Sequence, residues 1–159
     1  FKPDGVITAG NSSQISDGAA ALLLVSEDIL NKFNLEPIAK IKSMAVVGTD
    51  PVLMLSGPIP ATRKALDQAK LKPEDINLAE INEAFSSVVG AWRKEFPEIN
   101  YENVNANGGS IAIGHPLGAT GARLMTNLIH EMKRNKLKYG LQAICEGGGT
   151  ANATIVELV

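Results

Sequence analysis

Apolar and polar positions along this chain change period often enough to separate strands from helices. Residues 19–25 are small and aliphatic and predict a strand; 27–33 carry helical spacing behind Ser26, which suits an N-cap. Pro37 interrupts, and 38–47 then alternates apolar positions with Lys40 and Lys42 until Gly48-Thr49-Asp50-Pro51 breaks it, predicting a strand that ends in a loop. Ala61, Ala65, Leu66 and Ala69 fall on one face of a helix predicted over 61–70, with Pro60 suited to its first turn. A strand at 76–81 delivers Asn82 at its carboxyl end, a helix follows over 84–95 until Pro97, and 99–107 reads as an irregular Asn-rich link. The longest helix is predicted over 116–134, where Leu117, Leu124, Leu128, Ile129 and Met132 form a stripe and Lys133 and Arg134 favour the negative end of the dipole. Two strand-like runs, 139–145 and 151–159, are joined by Glu146-Gly147-Gly148-Gly149-Thr150 and predict an antiparallel pair. The alternation defines an α/β class: a layered mixed sheet flanked by helices, ending in that antiparallel pair.

Composition narrows the function more than the fold. A chain of 159 residues that is 45% hydrophobic and 20% charged can bury a core and is unlike a disordered segment. A net charge of -2 and 4% aromatic residues offer neither a basic field nor stacking platforms, so no nucleic-acid partner is expected. The one cysteine excludes an internal disulfide and fits a reducing compartment. No apolar stretch approaches the roughly 20 residues of a membrane span. The expected location is cytoplasmic, and a start at Phe1 reads as the interior of a longer protein. No His, Cys, Asp and Glu grouping has metal-ligand spacing, so no metal is expected.

Three side chains stand at strand ends or glycine turns. His115 precedes Pro116 at a predicted helix start, where the dipole and free amides disfavour imidazolium; the plain alternative is a histidine packed at a cap. The glycines at 114, 118 and 121 point instead to close approach of a backbone or ligand. Cys145 runs into three glycines, a turn able to expose the thiol as nucleophile or base and to aim N–H groups at an oxyanion; alternatively it fills a core. Asn82 can hold a water or an oxygen at a fixed point, or cap a helix. Glu83 reads as a helix-terminus charge, and His130 as a solvent residue. The glycine run joins two strands and has no following Lys, which rules out a phosphate loop.

Asn11-Ser12-Ser13 with Asp17-Gly18-Ala19-Ala20, Gly57-Pro58-Ile59-Pro60-Ala61, Asn82-Glu83-Ala84-Phe85, Asn107-Gly108-Gly109, the run from Gly114 to Arg123 and Cys145 to Gly149 together resemble the C-terminal portion of thiolases. These enzymes make or cleave 3-ketoacyl-CoA thioesters. The Asn82, His115 and Cys145 set favours thiolase over the decarboxylating ketoacyl synthases. The resemblance implies that residues 1–35 are the tail end of a thiolase N-terminal domain and 36–159 the C-terminal domain. It implies that a nucleophilic cysteine from the N-terminal half takes the acyl group, and no second cysteine is present here. His115 would activate that nucleophile and, with a water held by Asn82, polarise a thioester oxygen. Cys145 would move the α-proton of acetyl-CoA, and the Gly147 amide would stabilise a tetrahedral intermediate. Ser13 would lie near the pantetheine, with Ser12, Ile15, Met54, Ala84 and Phe85 lining its channel. CoA and acyl-CoA are then substrates, no cofactor is required, and a homodimer or homotetramer is implied at full length. The chain alone is expected to be inactive; the alternative is a non-catalytic CoA-binding or protein-interaction domain. Glu146 departs from the apolar residue many thiolases carry there, a variant similar to degradative or steroid-side-chain thiolases.

Overall fold

The computed structural model describes residues 2–159. In chain order it contains α1 (Glu27–Phe33), β1 (Ala39–Gly48), α2 (Pro58–Ala69), β2 (Leu78–Ile81), α3 (Ser86–Glu95), α4 (Ser110–Ile113), α5 (Thr120–Asn135), β3 (Tyr139–Cys145) and β4 (Thr150–Leu158). The strands form one mixed sheet in the order β1-β4-β3-β2. β4 runs antiparallel to both β1 and β3, as the glycine-linked runs predicted, while β2 and β3 are parallel.

Side-chain alternation divides the sheet between two helical layers. On one face Ala61, Ala65 and Leu66 of α2 and Val89 and Trp92 of α3 bury against Ala79, Ile81, Ala143, Ala151, Ala153 and Ile155. Alanine on both sides brings α2 close to the strands, and Trp92 settles its indole N–H on Thr62 Oγ1 at 2.9 Å. On the other face Leu128 and Met132 of α5 pack on Leu78 and Val156. The α/β architecture of a layered mixed sheet flanked by helices is therefore the one the sequence predicts.

One predicted strand is missing. Residues 19–25 form no regular element, and Leu23 and Leu24 are exposed. An apolar run becomes a strand only when another edge accepts its backbone groups, and among the described residues no strand pairs with this segment. The helix after it forms as predicted, with Ser26 Oγ accepting from Ile29 N. Boundaries move elsewhere: α2 starts at Pro58, α3 at Ser86 and α5 at Thr120. Asn82 caps no helix, because α3 begins behind Phe85.

Candidate active site

Among the described residues β2 and β3 are the only parallel neighbours in the sheet, so they share a carboxyl end, where open α/β sheets gather their ligands. Ile81 pairs with Ala143, and the Asn82 amide continues the ladder to Ala143 O at 3.0 Å. Asn82 thus leaves the sheet beside the final residues of β3, Ile144 and Cys145. This register follows from the buried strand pattern and needs no help from the site itself.

Asn82 is 2% exposed and braced on both sides. Asn105, held at φ 52°, acts as a substitute strand: its Oδ1 accepts from Ile81 N at 2.8 Å and its Nδ2 donates to Ile81 O at 3.0 Å. Nδ2 also donates to Glu83 Oε1 at 2.8 Å, and Glu83 Oε2 accepts from Ile111 N at 3.0 Å. Glu83 is thus the helix-terminus charge expected, though it serves α4 and not α3. From α4, Ser110 Oγ donates to Asn82 Oδ1 at 2.8 Å, and Arg123 Nη2 of α5 donates to Ser110 Oγ at 3.3 Å.

His115 lies in the connection between α4 and α5, half-buried. Its Nδ1 is 2.7 Å from Thr120 Oγ1, which itself lies 3.1 Å from Pro116 O. Pro116 O also accepts from Ala119 N at 2.7 Å and Thr120 N at 2.9 Å, so the Thr120 hydroxyl has two outlets: it donates to Nδ1, or it accepts from Nδ1–H and leaves Nε2 as the base. The His115 pKa is held below the usual histidine range, as expected, but for different reasons: burial first, then the Arg123 guanidinium. The expected helix start is not at His115, since α5 begins five residues later.

Cys145 is half-buried, and burial, with the neighbouring Glu146 charge, pushes its thiol up. A protonated thiol is therefore the resting form at neutral pH. Beyond it Glu146 N donates to Thr150 O at 2.8 Å and Glu146 Oε1 accepts from Asn152 Nδ2 at 2.5 Å, closing the turn. Gly149 (φ 89°) is required there, because a Cβ would lie 2.6 Å from Thr49 O. Gly147 is exposed, and its N–H has no protein acceptor among the described residues. It is free to serve a developing oxyanion.

The segment before α1 ties these pieces together. Ser12 bridges Phe85, Ser13 N donates to Ala84 O at 3.1 Å, Ser13 Oγ reaches the same oxygen at 3.3 Å, and Ile15 bridges His115. His115 N donates to Gln14 O at 2.8 Å. Gly114, at φ 87°, is the glycine this crossing demands, since a Cβ there would collide with Ser16. Gly118 faces open space, and a Cβ on Gly121 would make only ordinary contact, so neither marks a close approach within the chain. Ser12, Ser13, Ile15, Ala84 and Phe85 are thereby brought into one strip beside His115. Ile15 is 83% exposed, available to a ligand or a covering chain. Met54 lies in the 3-10 turn Met54–Ser56, packed on α2, α3 and β3.

The sequence reading missed Ser110, Thr120, Arg123, Asn105 and Glu80. Only Glu80 carried a signal: a carboxylate inside a strand whose every residue is buried. It is 0% exposed, and both carboxyl oxygens are sealed without a partner, as are Arg123 Nε and Nη1. Burial pushes its pKa up from 4.5 to about 8, against the pull of Arg123. The folded chain keeps a proton that the unfolded chain releases, so the stability tied to neutral Glu80 is full below pH 4.5 and is lost as pH rises towards 8. Glu80→Gln is expected to flatten stability between pH 5 and 8, the slopes differing by up to about 1.4 kcal/mol per pH unit in urea unfolding. Parallel slopes would show that Glu80 is ionised in the fold.

Residues 35–158 match the family described as "Thiolase, C-terminal domain", and residues 1–28 match "Thiolase, N-terminal domain". The chain belongs to the thiolase family. It is 55% identical over 153 residues to the steroid 3-ketoacyl-CoA thiolase FadA6 of Mycobacterium tuberculosis, covering 96% of this chain and 37% of that protein. It is 46% identical to the 3-ketoacyl-CoA thiolase FadA of Escherichia coli, covering 100% of this chain and 42% of the relative. The acetyl-CoA acetyltransferase of Bacillus anthracis superposes over the whole chain and 40% of its own length with a TM-score of 0.96 at 44% identity. Human mitochondrial 3-ketoacyl-CoA thiolase in complex with CoA superposes over the same shares with a TM-score of 0.92 at 40% identity. The chain thus spans about 40% of the length of the relatives it matches. Among the described residues no helix is long and apolar enough to cross a membrane.

Proposed function

We propose that this chain supplies the acid/base and oxyanion half of an acetyl-CoA C-acyltransferase, which condenses acetyl-CoA with an acyl-CoA or cleaves a 3-ketoacyl-CoA with CoA. The observation that carries this reading is the delivery of Asn82 and Cys145 at the shared carboxyl end of two neighbouring parallel strands, while α5, packed on those strands, contacts His115 through Thr120. In the cleavage direction the Cys145 thiol gives its proton to the carbanion carbon released as acetyl-CoA; in condensation the thiolate takes that proton back. His115 Nε2 activates a cysteine nucleophile supplied from outside these 159 residues, and with a water held by Asn82 it polarises the thioester oxygen. The free Gly147 N–H serves the tetrahedral intermediate on that cysteine. Residues 1–35 belong to the N-terminal thiolase domain and 36–159 to the C-terminal one.

CoA, which the human relative is recorded as binding, would lie along Ser12, Ser13, Ile15, Ala84 and Phe85, with Met54 at the channel wall. Its thioesters are substrates, and the chemistry calls for no further cofactor. The partners are the N-terminal thiolase half and a second copy in a homodimer or homotetramer, in the cytoplasm. The test is CoA-dependent loss of acetoacetyl-CoA, measured for the chain alone and for the chain combined with its N-terminal half. No turnover is expected from the chain alone, and turnover is expected from the combination. Turnover by the chain alone, abolished in Cys145→Ser, would overturn the need for a second cysteine. Calorimetric titration of the combination with CoA separates catalysis from a binding role, because tight binding without turnover would favour the non-catalytic reading.

A further inference from the structure

The orientation of a side-chain amide follows from its neighbours, since oxygen and nitrogen differ only in what they can bond. At Asn82 the neighbours leave little choice. Arg123 has donors and no acceptor, so its Nη2 contact with Ser110 Oγ at 3.3 Å uses a lone pair of the hydroxyl. Ser110 is completely buried and has one proton to place. Its other polar neighbour is Asn82, at 2.8 Å. Were Nδ2 turned towards Ser110, the hydroxyl would face donors on both sides and its own buried proton would have no acceptor, an expensive arrangement. Oδ1 therefore faces Ser110. Nδ2 points elsewhere, donates to no protein acceptor among the described residues, and is absent from the polar atoms sealed without partners.

We infer that Arg123 and Ser110 are positioning residues that fix which way round the Asn82 amide stands, so that Asn82 offers its site two N–H donors and no acceptor. This rests on the reading of Asn82 as the group that holds a water or thioester oxygen. A donor-only face suits an oxygen that gains negative charge, and it orients a bound water with its own hydrogens directed onwards. The relay joins α4, α5 and the end of β2, so it also couples Asn82 to the helix whose Thr120 contacts His115. The charge of the same guanidinium also opposes protonation of His115. Nη2 makes no hydrogen bond to Glu80, whose two buried carboxyl oxygens have no partner in the fold.

The test uses the full-length protein that carries this chain. Ser110→Ala is expected to lower kcat for acetoacetyl-CoA thiolysis about tenfold, a misorientation effect, while KM for CoA moves less than about twofold. Arg123→Met is expected to act in the same direction, and the double variant to lose less than the product of the two, since both act through one hydroxyl. With asparagine labelled by nitrogen-15, the Asn82 side-chain NH2 pair, identified by its loss in Asn82→Asp, is expected to shift or broaden in both single variants. An unchanged kcat in Ser110→Ala, a fall matched only by a lowered melting temperature, or an unmoved Asn82 pair would each overturn the inference. If Arg123→Met does not fold, Ser110→Ala decides alone. Asn82→Ala separates the levels: full activity there sinks the role of Asn82 itself, whereas lost activity there with intact Ser110→Ala sinks only the relay.

Discussion

Replacing Cys145 by alanine in the full-length protein is expected to slow thiolysis and condensation by about 10²–10⁴-fold, the range for a positioned acid/base group. Melting temperature should hardly move, because a half-buried thiol at the end of β3 fills little of the core. The reason for the large kinetic effect is electrostatic. Burial and the Glu146 carboxylate keep the thiol protonated at neutral pH, which is the form that can donate to a carbanion. Removing the Glu146 charge shows the sign. Glu146→Gln eases ionisation, so the thiol pKa falls and the alkaline limb of the thiolysis profile, where the donor is lost, moves to lower pH. Serine in place of Cys145 keeps a donor but is far harder to ionise, so both directions should slow together. An alanine variant that retained more than a tenth of wild-type kcat would remove Cys145 from the proton-transfer role.

Most elements were legible because their periods are local. The α2 face of Ala61, Ala65, Leu66 and Ala69 is read from residues three and four apart and is buried, as are Leu124, Leu128 and Met132 of the predicted stripe; Ile129 is half-buried, and Leu117, in the turn before α5, is exposed. Residues 19–25 misled for the opposite reason: a strand is a property of two segments, and apolar composition says nothing about the second. Helix starts slipped where loops compete with the helix for backbone groups. At Pro116 the chain turns first through Ala119 N to Pro116 O, at 2.7 Å, before α5 begins.

The site divides along the same line. Asn82, His115 and Cys145 stood out because each sits at a strand end or glycine turn that sequence can mark. Their supports did not, since hydroxyls and amides acquire meaning only from distant partners. Ser110 reaches Asn82 across 28 positions, and Asn105 clamps Ile81 across 24. Within the stretch read as an irregular link, Asn105 is a fixed brace for β2, and its left-handed backbone is what lets its amide imitate a neighbouring strand. Three short motifs therefore marked the candidate groups, while the hydrogen bonds that brace them join residues far apart in the chain.

That network sets the second large effect. His115→Ala in the full-length protein is expected to reduce kcat/KM by about 10³-fold or more, because in the proposed mechanism the imidazole both activates the cysteine nucleophile and polarises a thioester oxygen. The pH profile carries the sharper content. Burial and Arg123 hold the His115 pKa below 6.5, so the neutral base persists as pH falls through 6.5, and the acid limb attributable to it should lie below that value. Arg123→Met removes a neighbouring positive charge, makes protonation easier and should move the limb to higher pH. The movement should be partial, since burial is the larger cause. Thr120→Val tests the tautomer: with no hydroxyl to accept Nδ1–H, the ring loses the contact that would leave Nε2 as the base. Its kcat should fall, while CoA affinity, which the proposed function assigns to the Ser13 strip, should not. An acid limb above 6.5 in the wild type, or one that Arg123→Met leaves in place, would show that the neutral imidazole is not poised in this way.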